Sequence, residues 1–277
     1  MKVKIFISIR NRLAITKHCI TSIIKHSVCD YKIYCFDNLT NHRIDEHFSF
    51  FSKMYQKGII SQVVFNTKDS TFFAFSKAVA CNQFGLMHEM DPQKDSYDFL
   101  LILDNDIILM PKWDKTLKKC WDHVNANKLK DIKVIGQLPG GIKHASEFPG
   151  GISGFRAKLG KLGGSGLWSV RTNFFRDIGY LPVQKLIGRD KMHDQTYWRL
   201  MDMSTGGKPY ILGVDKKLGV HCGKLAGSIC NILTNKKHSK NKEEVIKFKE
   251  AEEKLEKLSF DEFFEVIKED NRLVKDW

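Results

Sequence analysis

Nowhere in the 277 residues do eighteen apolar side chains run together, so no segment is expected to span a membrane. The opening MKVKIFISIR interrupts its apolar run with charge almost at once, and no small-residue cleavage site follows. No secretory signal is expected. Paired cysteines are missing as well. The seven cysteines (19, 29, 35, 81, 120, 222 and 230) are odd in number, scattered, and contain no C-x-x-C pair. That pattern argues against a disulfide framework or a zinc ribbon and for reduced thiols in a cytosolic protein, most of them small buried side chains. Phosphate-loop signatures are also lacking. Gly140-Gly141, Gly150-Gly151 and Gly163-Gly164 fall into neither G-x-G-x-x-G after a strand nor G-x-x-x-x-G-K-[ST], so neither a dinucleotide fingerprint nor a P-loop is present. No internal repeat is visible.

What is present is an ordinary globular composition, 42% hydrophobic and 28% charged, with an unusual charge. The length allows one large α/β domain, or one domain with a small appendage. The formal charge of +13 is unevenly placed: residues 231–277 hold 11 Lys/Arg against 12 Asp/Glu, leaving 34 against 20 in residues 1–230, or +14. A surplus of that size attracts anions: nucleoside diphosphates, nucleic acid or an acidic membrane face. It also solubilises.

The first half alternates strand-length and helix-length segments. Lys2–Ile9 is a β-rich run. Asn11–His26 follows a helical period through Leu13, Ile15, Ile20, Ile23 and Ile24. Strands are predicted at Tyr31–Phe36, Ile59–Phe65 and Phe99–Leu103, and helices at Phe72–Met90 and Trp113–Val124. Such alternation implies a mostly parallel sheet with crossover connections. After a strand at Ile132–Ile135 the character changes: residues 136–166 hold ten glycines and cannot be regular throughout. Leu167–Val170, helices at Asn173–Ile178 and Asp194–Met203, and strands at Pro209–Val214 and Leu218–His221 follow. Beyond Asn241, Val245, Phe248, Leu255 and Leu258 form one apolar stripe, and Phe260, Phe263, Phe264 and Ile267 another. They predict two amphipathic helices docked on the domain. The expected division is 1–230 as catalytic domain and 231–277 as helical C-terminal extension.

Ligands of open α/β sheets sit outside the carboxyl ends of the strands. Asp37 and the run LLILDNDIILMP fall at such ends. Asp104 and Asp106, two residues apart past a buried strand, can face one cavity and share a hard cation with a diphosphate. Such a cation neutralises the charge that develops on a leaving diphosphate. D-x-D alone is common, and a solvated turn reads the same way.

The succession of motifs is more specific. FISIRNRLAITKHCITSI opens the chain, IYCFDNLT ends a second strand in Asp, and SKAVACN carries an Ala-x-x-x-Asn pattern. LLILDND follows, then Pro111-Lys112-Trp113, GSGLWSVRTNFFRDIGYLP, HDQTYWR and LGVHCG. In this order, over about residues 3–223, the chain resembles the GT-A glycosyltransferases, in particular the large inverting family that uses nucleotide-sugars. The resemblance implies a GT-A-like, Rossmann-like fold with helices flanking a mostly parallel central sheet. It implies transfer of a sugar from a nucleotide diphosphate-sugar, a UDP-sugar foremost, with Mn²⁺ or Mg²⁺ as cofactor. By position, Arg10-Asn11-Arg12 lines the nucleotide pocket and Asp37 bonds the nucleobase. Asp104 and Asn105 face the ribose or the metal, Asp106 ligates the metal and His221 completes its shell. Asp194 is the general base that takes the acceptor proton. The chain departs from the pattern at Ser8 (Pro in the family), Cys81 (often Arg) and His193 (Glu beside the base). An acid at a helix start, such as Asp194, is also favoured by the helix dipole.

The glycine-rich stretch reads either as a mobile acceptor lid or as a surface loop. Its Lys143, Arg156, Lys158 and Lys161, with Phe148 and Phe155, suit a polyanion with stackable bases. With the +14 charge this points to an anionic acceptor, DNA carrying a hydroxylated base among them. A cell-envelope glycan or lipid-linked acceptor is the ordinary family alternative. A nucleic-acid-binding module or a nucleotidyltransferase are the readings from other classes.

Overall fold

The computed structural model describes residues 1–38, 40–66, 77–137, 143–152, 154–161, 166–179, 201–222 and 242–269. The chain opens with β1 (Lys2–Ile9), α1 (Leu13–His26), β2 (Asp30–Asn38), α2 (Ile44–Gln56), β3 (Ile60–Asn66) and α3 (Lys77–Glu89). It continues through β4 (Phe99–Asp104), β5 (Ile107–Leu109), α4 (Trp113–Ala126), β6 (Val134–Gln137), β7 (Lys143–Glu147), β8 (Ala157–Lys161), β9 (Leu167–Val170) and α5 (Phe174–Ile178). β10 (Ile211–Val214), β11 (Gly219–His221), α6 (Lys242–Lys257) and α7 (Phe260–Glu269) complete the described elements.

Nine strands form one sheet in the order β3-β2-β1-β4-β9-β6-β10-β8-β7. The pairings make seven of them point one way, with β9 and β8 reversed. The sheet is thus mostly parallel, as predicted, because each early strand is followed by a helix that carries the chain back across a face. β1 is apolar on both sides for the same reason. Ile5, Ile7 and Ile9 enter one core with Ile20 and Ile23 of α1, Phe51 of α2 and Trp113, Leu117 and Trp121 of α4. Phe6, between them in the pleat, enters the opposite core with Ala80, Phe84 and Met87 of α3. At the far end of β1 the buried Lys4 is held by Asp91 at 2.8 Å and by the Met87 carbonyl at 3.3 Å, and the hydroxyls of Tyr34 and Tyr97 also donate to Asp91.

The glycine-rich stretch departs from its reading as a loop or lid. β7 and β8 pair there antiparallel and form the edge of the sheet. Glycines marked the breaks but hid the two short strands between them. The predicted helix over residues 72–90 is described only from Lys77, and Asp194–Met203 only over its last residues, which are helical.

The two predicted C-terminal helices pack where their apolar stripes require. Phe248, Leu255, Phe260, Phe263, Phe264 and Ile267 are buried, and the last five join a cluster with Ala14, Ile15 and Cys19 of α1 and Ile108, Val220 and Cys222 around β5 and β11. The His18 ring stacks on Phe263 at 4.3 Å, and its Nε2 lies 3.1 Å from the Leu255 carbonyl. The same helices therefore pack against α1, β5 and β11, which flank the site described next. Among the described residues no helix is long and apolar enough to cross a membrane.

Candidate functional site

Three chain segments meet at the carboxyl ends of β1 and β4. The first is the turn Arg10-Asn11-Arg12, which leaves β1 and starts α1. Asn11 (φ 51°) and Arg12 (φ 58°) are both left-handed, a conformation that costs non-glycine residues energy and needs outside support. Asn11 supplies it: its Oδ1 accepts from the backbone N–H groups of Asn41 and His42 at 3.0 and 3.1 Å, and its own N–H donates to Thr40 Oγ1 at 3.0 Å. The turn is thereby tied to the loop after β2.

The second segment is Asp104-Asn105-Asp106. Asp104 ends β4, and its N–H donates to the Gly166 carbonyl at 2.8 Å. Asn105 is a buried staple: its N–H donates to the Ser8 carbonyl at 3.1 Å, and its Nδ2 to the Asn11 carbonyl at 3.1 Å and Thr16 Oγ1 at 2.8 Å. The turn brings Asp106 to Arg12 at the start of α1. The third segment is β11, which pairs with β5 so that His221 lies opposite Ile107, and the Cys222 N–H donates to the Asp106 carbonyl at 2.8 Å.

These backbone bonds place three side chains together. Asp106, 6% exposed, forms an ion pair and hydrogen bond through Oδ2 with the Arg12 guanidinium, 7% exposed. His221 Nε2 lies 3.4 Å from the same oxygen, and its ring is 38% exposed, on the open side. The other oxygen, Asp106 Oδ1, is buried and accepts no hydrogen bond from the described residues. An unsatisfied buried carboxylate oxygen beside an imidazole is a donor set that suits a divalent cation, and the mixture of oxygen and imidazole nitrogen favours Mn²⁺ over Mg²⁺. Asp106 and His221 thus fit the expected metal.

Asp104 is the third predicted ligand. Among the described residues no three His, Cys, Asp or Glu side chains converge on a common point for an ion. Both Asp104 and Asp106 lie near the buried Cys19 thiol. Asp104 Oδ2 lies against Gly166, where an added Cβ would come within 2.8 Å of it. Gly166 was not singled out in the sequence. Its position at the end of the glycine run, immediately before β9, was the available signal.

The other predicted residues sort as follows. Asp37 is 2% exposed; its Oδ1 accepts from the Thr40 N–H at 3.0 Å, as in a turn, and its Oδ2 lies 3.4 Å from His47 Nδ1. Arg10 is half-buried at the end of β1. Lys143 opens β7. Arg156, Lys158 and Lys161 are each paired with an acid: Asp215 at 2.9 Å, Glu147 at 3.0 Å and Asp202 at 3.2 Å. Asp194 lies outside the described residues.

Sequence reading missed Glu252. This α6 carboxylate is 1% exposed, and its Oε2 accepts from the Ala14 N–H at 3.1 Å, in the first turn of α1. Burial raises its pKa, against the opposing pull of the Ala14 N–H, Arg43, His47 and Arg12. The thiols of Cys19 and Cys222 are pushed up by burial first and by the Asp106 carboxylate second, so both stay protonated beside the site and neither supplies a thiolate.

Comparison with solved structures places this architecture. GalNAc-T7 with UDP, GalNAc and Mn²⁺ is similar over 79% of this chain and 44% of its own, at 14% identity and a TM-score of 0.50. S. aureus TarS 1–349 is similar over 91% of this chain and 71% of its own, at 13% identity and a TM-score of 0.47. The mannosyltransferase PcManGT from Pyrobaculum calidifontis, in complex with GDP-Man and Mn²⁺, is similar over 76% of this chain and 53% of its own, at 11% identity and a TM-score of 0.46. No protein-family model and no curated protein matches the chain. The fold is of the GT-A type, a mostly parallel central sheet flanked by helices, as found in nucleotide-sugar glycosyltransferases.

Proposed function

We propose that the protein is a metal-assisted glycosyltransferase that moves a sugar from a nucleotide diphosphate-sugar to an acceptor hydroxyl. One observation carries this: Arg12, Asp106 and His221 meet at the carboxyl ends of β1 and β4 of a GT-A-type sheet. A guanidinium, a carboxylate and an imidazole there match what a leaving diphosphate requires. The presence of Mn²⁺ beside UDP in GalNAc-T7 supports the same reading.

Asp106 and His221 are the residues that hold the cation, Mn²⁺ foremost or Mg²⁺. Bound there, it supplies positive charge that stabilises the leaving diphosphate. Arg12 offers the diphosphate a planar fork of N–H donors. Asn11 and Asn105 fix the turns that aim Arg12 and Asp106. Asp37 Oδ2, which accepts no hydrogen bond from the described residues, is the atom left for a nucleobase donor. In the reaction the acceptor oxygen bonds to the anomeric carbon as the bond from that carbon to the phosphate oxygen breaks. The acceptor proton passes to a carboxylate, Asp194 by its place in HDQTYWR, and the electron pair leaves with the diphosphate. Inversion at the anomeric carbon is the family expectation.

The finer reading of the acceptor rests on charge. The +14 of residues 1–230 favours a polyanion, DNA with hydroxylated bases in particular. Lys143, Arg156, Lys158 and Lys161 are the cations offered for that contact; the last three are paired with acids in largely exposed ion pairs, which a phosphate can replace. Incubation with a panel of UDP- and GDP-sugars and Mn²⁺ tests the core reading. Donor hydrolysis or thermal stabilisation is expected; pyrophosphate release from nucleoside triphosphates instead would mark a nucleotidyltransferase. Gel shifts and sugar transfer on DNA with and without hydroxymethylated bases test the acceptor. Binding should weaken steeply between low and moderate salt, and no binding or transfer at low salt would leave a glycan acceptor as the better reading.

A further inference from the structure

Asp106 carries two assignments that compete. It is the carboxylate assigned above to a divalent cation, and it is ion-paired with Arg12. The guanidinium is not a surface group that can drift away into water. Its Cα sits in the left-handed conformation at the start of α1, and its carbonyl accepts from Thr16 N at 3.0 Å and Thr16 Oγ1 at 2.8 Å. Two residues on, α1 is clamped by Glu252 on the Ala14 N–H. With both side chains almost fully buried, a cation taken up at Asp106 must share that carboxylate with a fixed positive charge. Like charges around one carboxylate oppose each other most strongly where water is excluded.

A nucleoside diphosphate changes that balance. It brings several negative charges and acceptor oxygens that suit the guanidinium fork, giving Arg12 a second anion to hold. We infer that Arg12 is a built-in counter-ion that makes cation uptake at Asp106 conditional on the nucleoside diphosphate, so that the two ligands bind together far better than either binds alone. This rests on the glycosyl-transfer reading for the presence of both ligands. Linkage makes the effect reciprocal: whatever factor the nucleotide adds to metal affinity, the metal adds to nucleotide affinity.

The test is titration calorimetry on the full chain, with Mn²⁺ alone, UDP or GDP alone, and each in the presence of the other. The wild type should show a coupling factor of about 5–150, the usual range between linked sites. Arg12→Gln removes the competing charge. It should bind Mn²⁺ alone several-fold more tightly than the wild type, gain thermal stability from Mn²⁺ alone, and keep only the smaller coupling that comes from the cation's own attraction to the diphosphate. Asp106→Asn removes the carboxylate charge that competes with the diphosphate for Arg12. It should bind the metal-free nucleotide more tightly than the wild type while losing Mn²⁺. Both variants are expected to gain an affinity, which a damaged fold does not produce. If the wild type binds metal and nucleotide but neither variant gains, or the coupling in Arg12→Gln is as large as in the wild type, the counter-ion role is wrong and the donor reading stands. If neither the wild type nor Arg12→Gln binds Mn²⁺ with or without UDP or GDP, both fall.

Discussion

The Arg12–Asp106 pair sets up a stability experiment whose outcome follows from burial. Both side chains are nearly excluded from water and ion-paired with each other. Replacing either alone breaks a buried ion pair, which costs about 3–5 kcal/mol. For a protein of this size that is a fall in Tm of roughly 6–20 °C. The double variant Arg12→Gln/Asp106→Asn removes both charges, so it should cost less than the sum of the singles by about 2–3 kcal/mol. The Lys17–Glu256 pair between α1 and α6 is the internal control. Its ion pair is also close, at 2.6 Å, and Glu256 meets Arg43 as well at 2.8 Å, but the Lys17 and Glu256 side chains are both about one-third exposed. Solvent screens that pair, and Glu256→Gln should cost no more than about 1 kcal/mol. The assay is urea unfolding followed by circular dichroism at neutral pH, without metal or nucleotide. Additive costs at Arg12 and Asp106, or losses no larger than at Glu256, would refute the argument that burial makes this pair different.

Three further outcomes are expected. Gly166→Ala places a Cβ against Asp104 Oδ2 and the Ile107 side chain, so it should displace Asp104, cost about 1–3 kcal/mol and reduce turnover; full activity would show that Asp104 has no role there. Glu252 has a pKa raised above its ordinary 4.5, so its contribution to stability is full below that pH and is lost as pH rises through the folded value. The stability of Glu252→Gln relative to wild type should therefore improve from pH 4 to pH 8, and a pH-independent difference in Tm would contradict it. Asp194→Asn should lose about 10²–10⁴ in turnover with donor affinity little changed, and near-normal turnover would redirect the search to Asp190.

Much of the fold was legible because its signals are local. An apolar run of strand length ending in Asp, a helical period through Leu13 to Ile23, and paired aromatic stripes near the C-terminus each report burial directly. The sheet's direction followed from their alternation. β7 and β8 were not legible, since short edge strands between glycines carry no apolar period. The candidate site was legible as a set of positions at strand ends, Arg12, Asp106 and His221 among them.

Which of those side chains meet was decided only in three dimensions. Asp104 and Asp106 look like a pair in sequence, and Asn105 staples the turn between them to Asn11 and Thr16. Asp106 finds its partners 94 residues back at Arg12 and across the β5–β11 pairing at His221. Sequence spacing fixes which face of a strand or helix a residue occupies, because that period belongs to the backbone. It does not fix the rotation of a turn or the approach of a distant helix, which depend on hydrogen bonds such as Asn105 to Asn11 and Glu252 to Ala14. Those bonds form only once the sheet has brought the segments together.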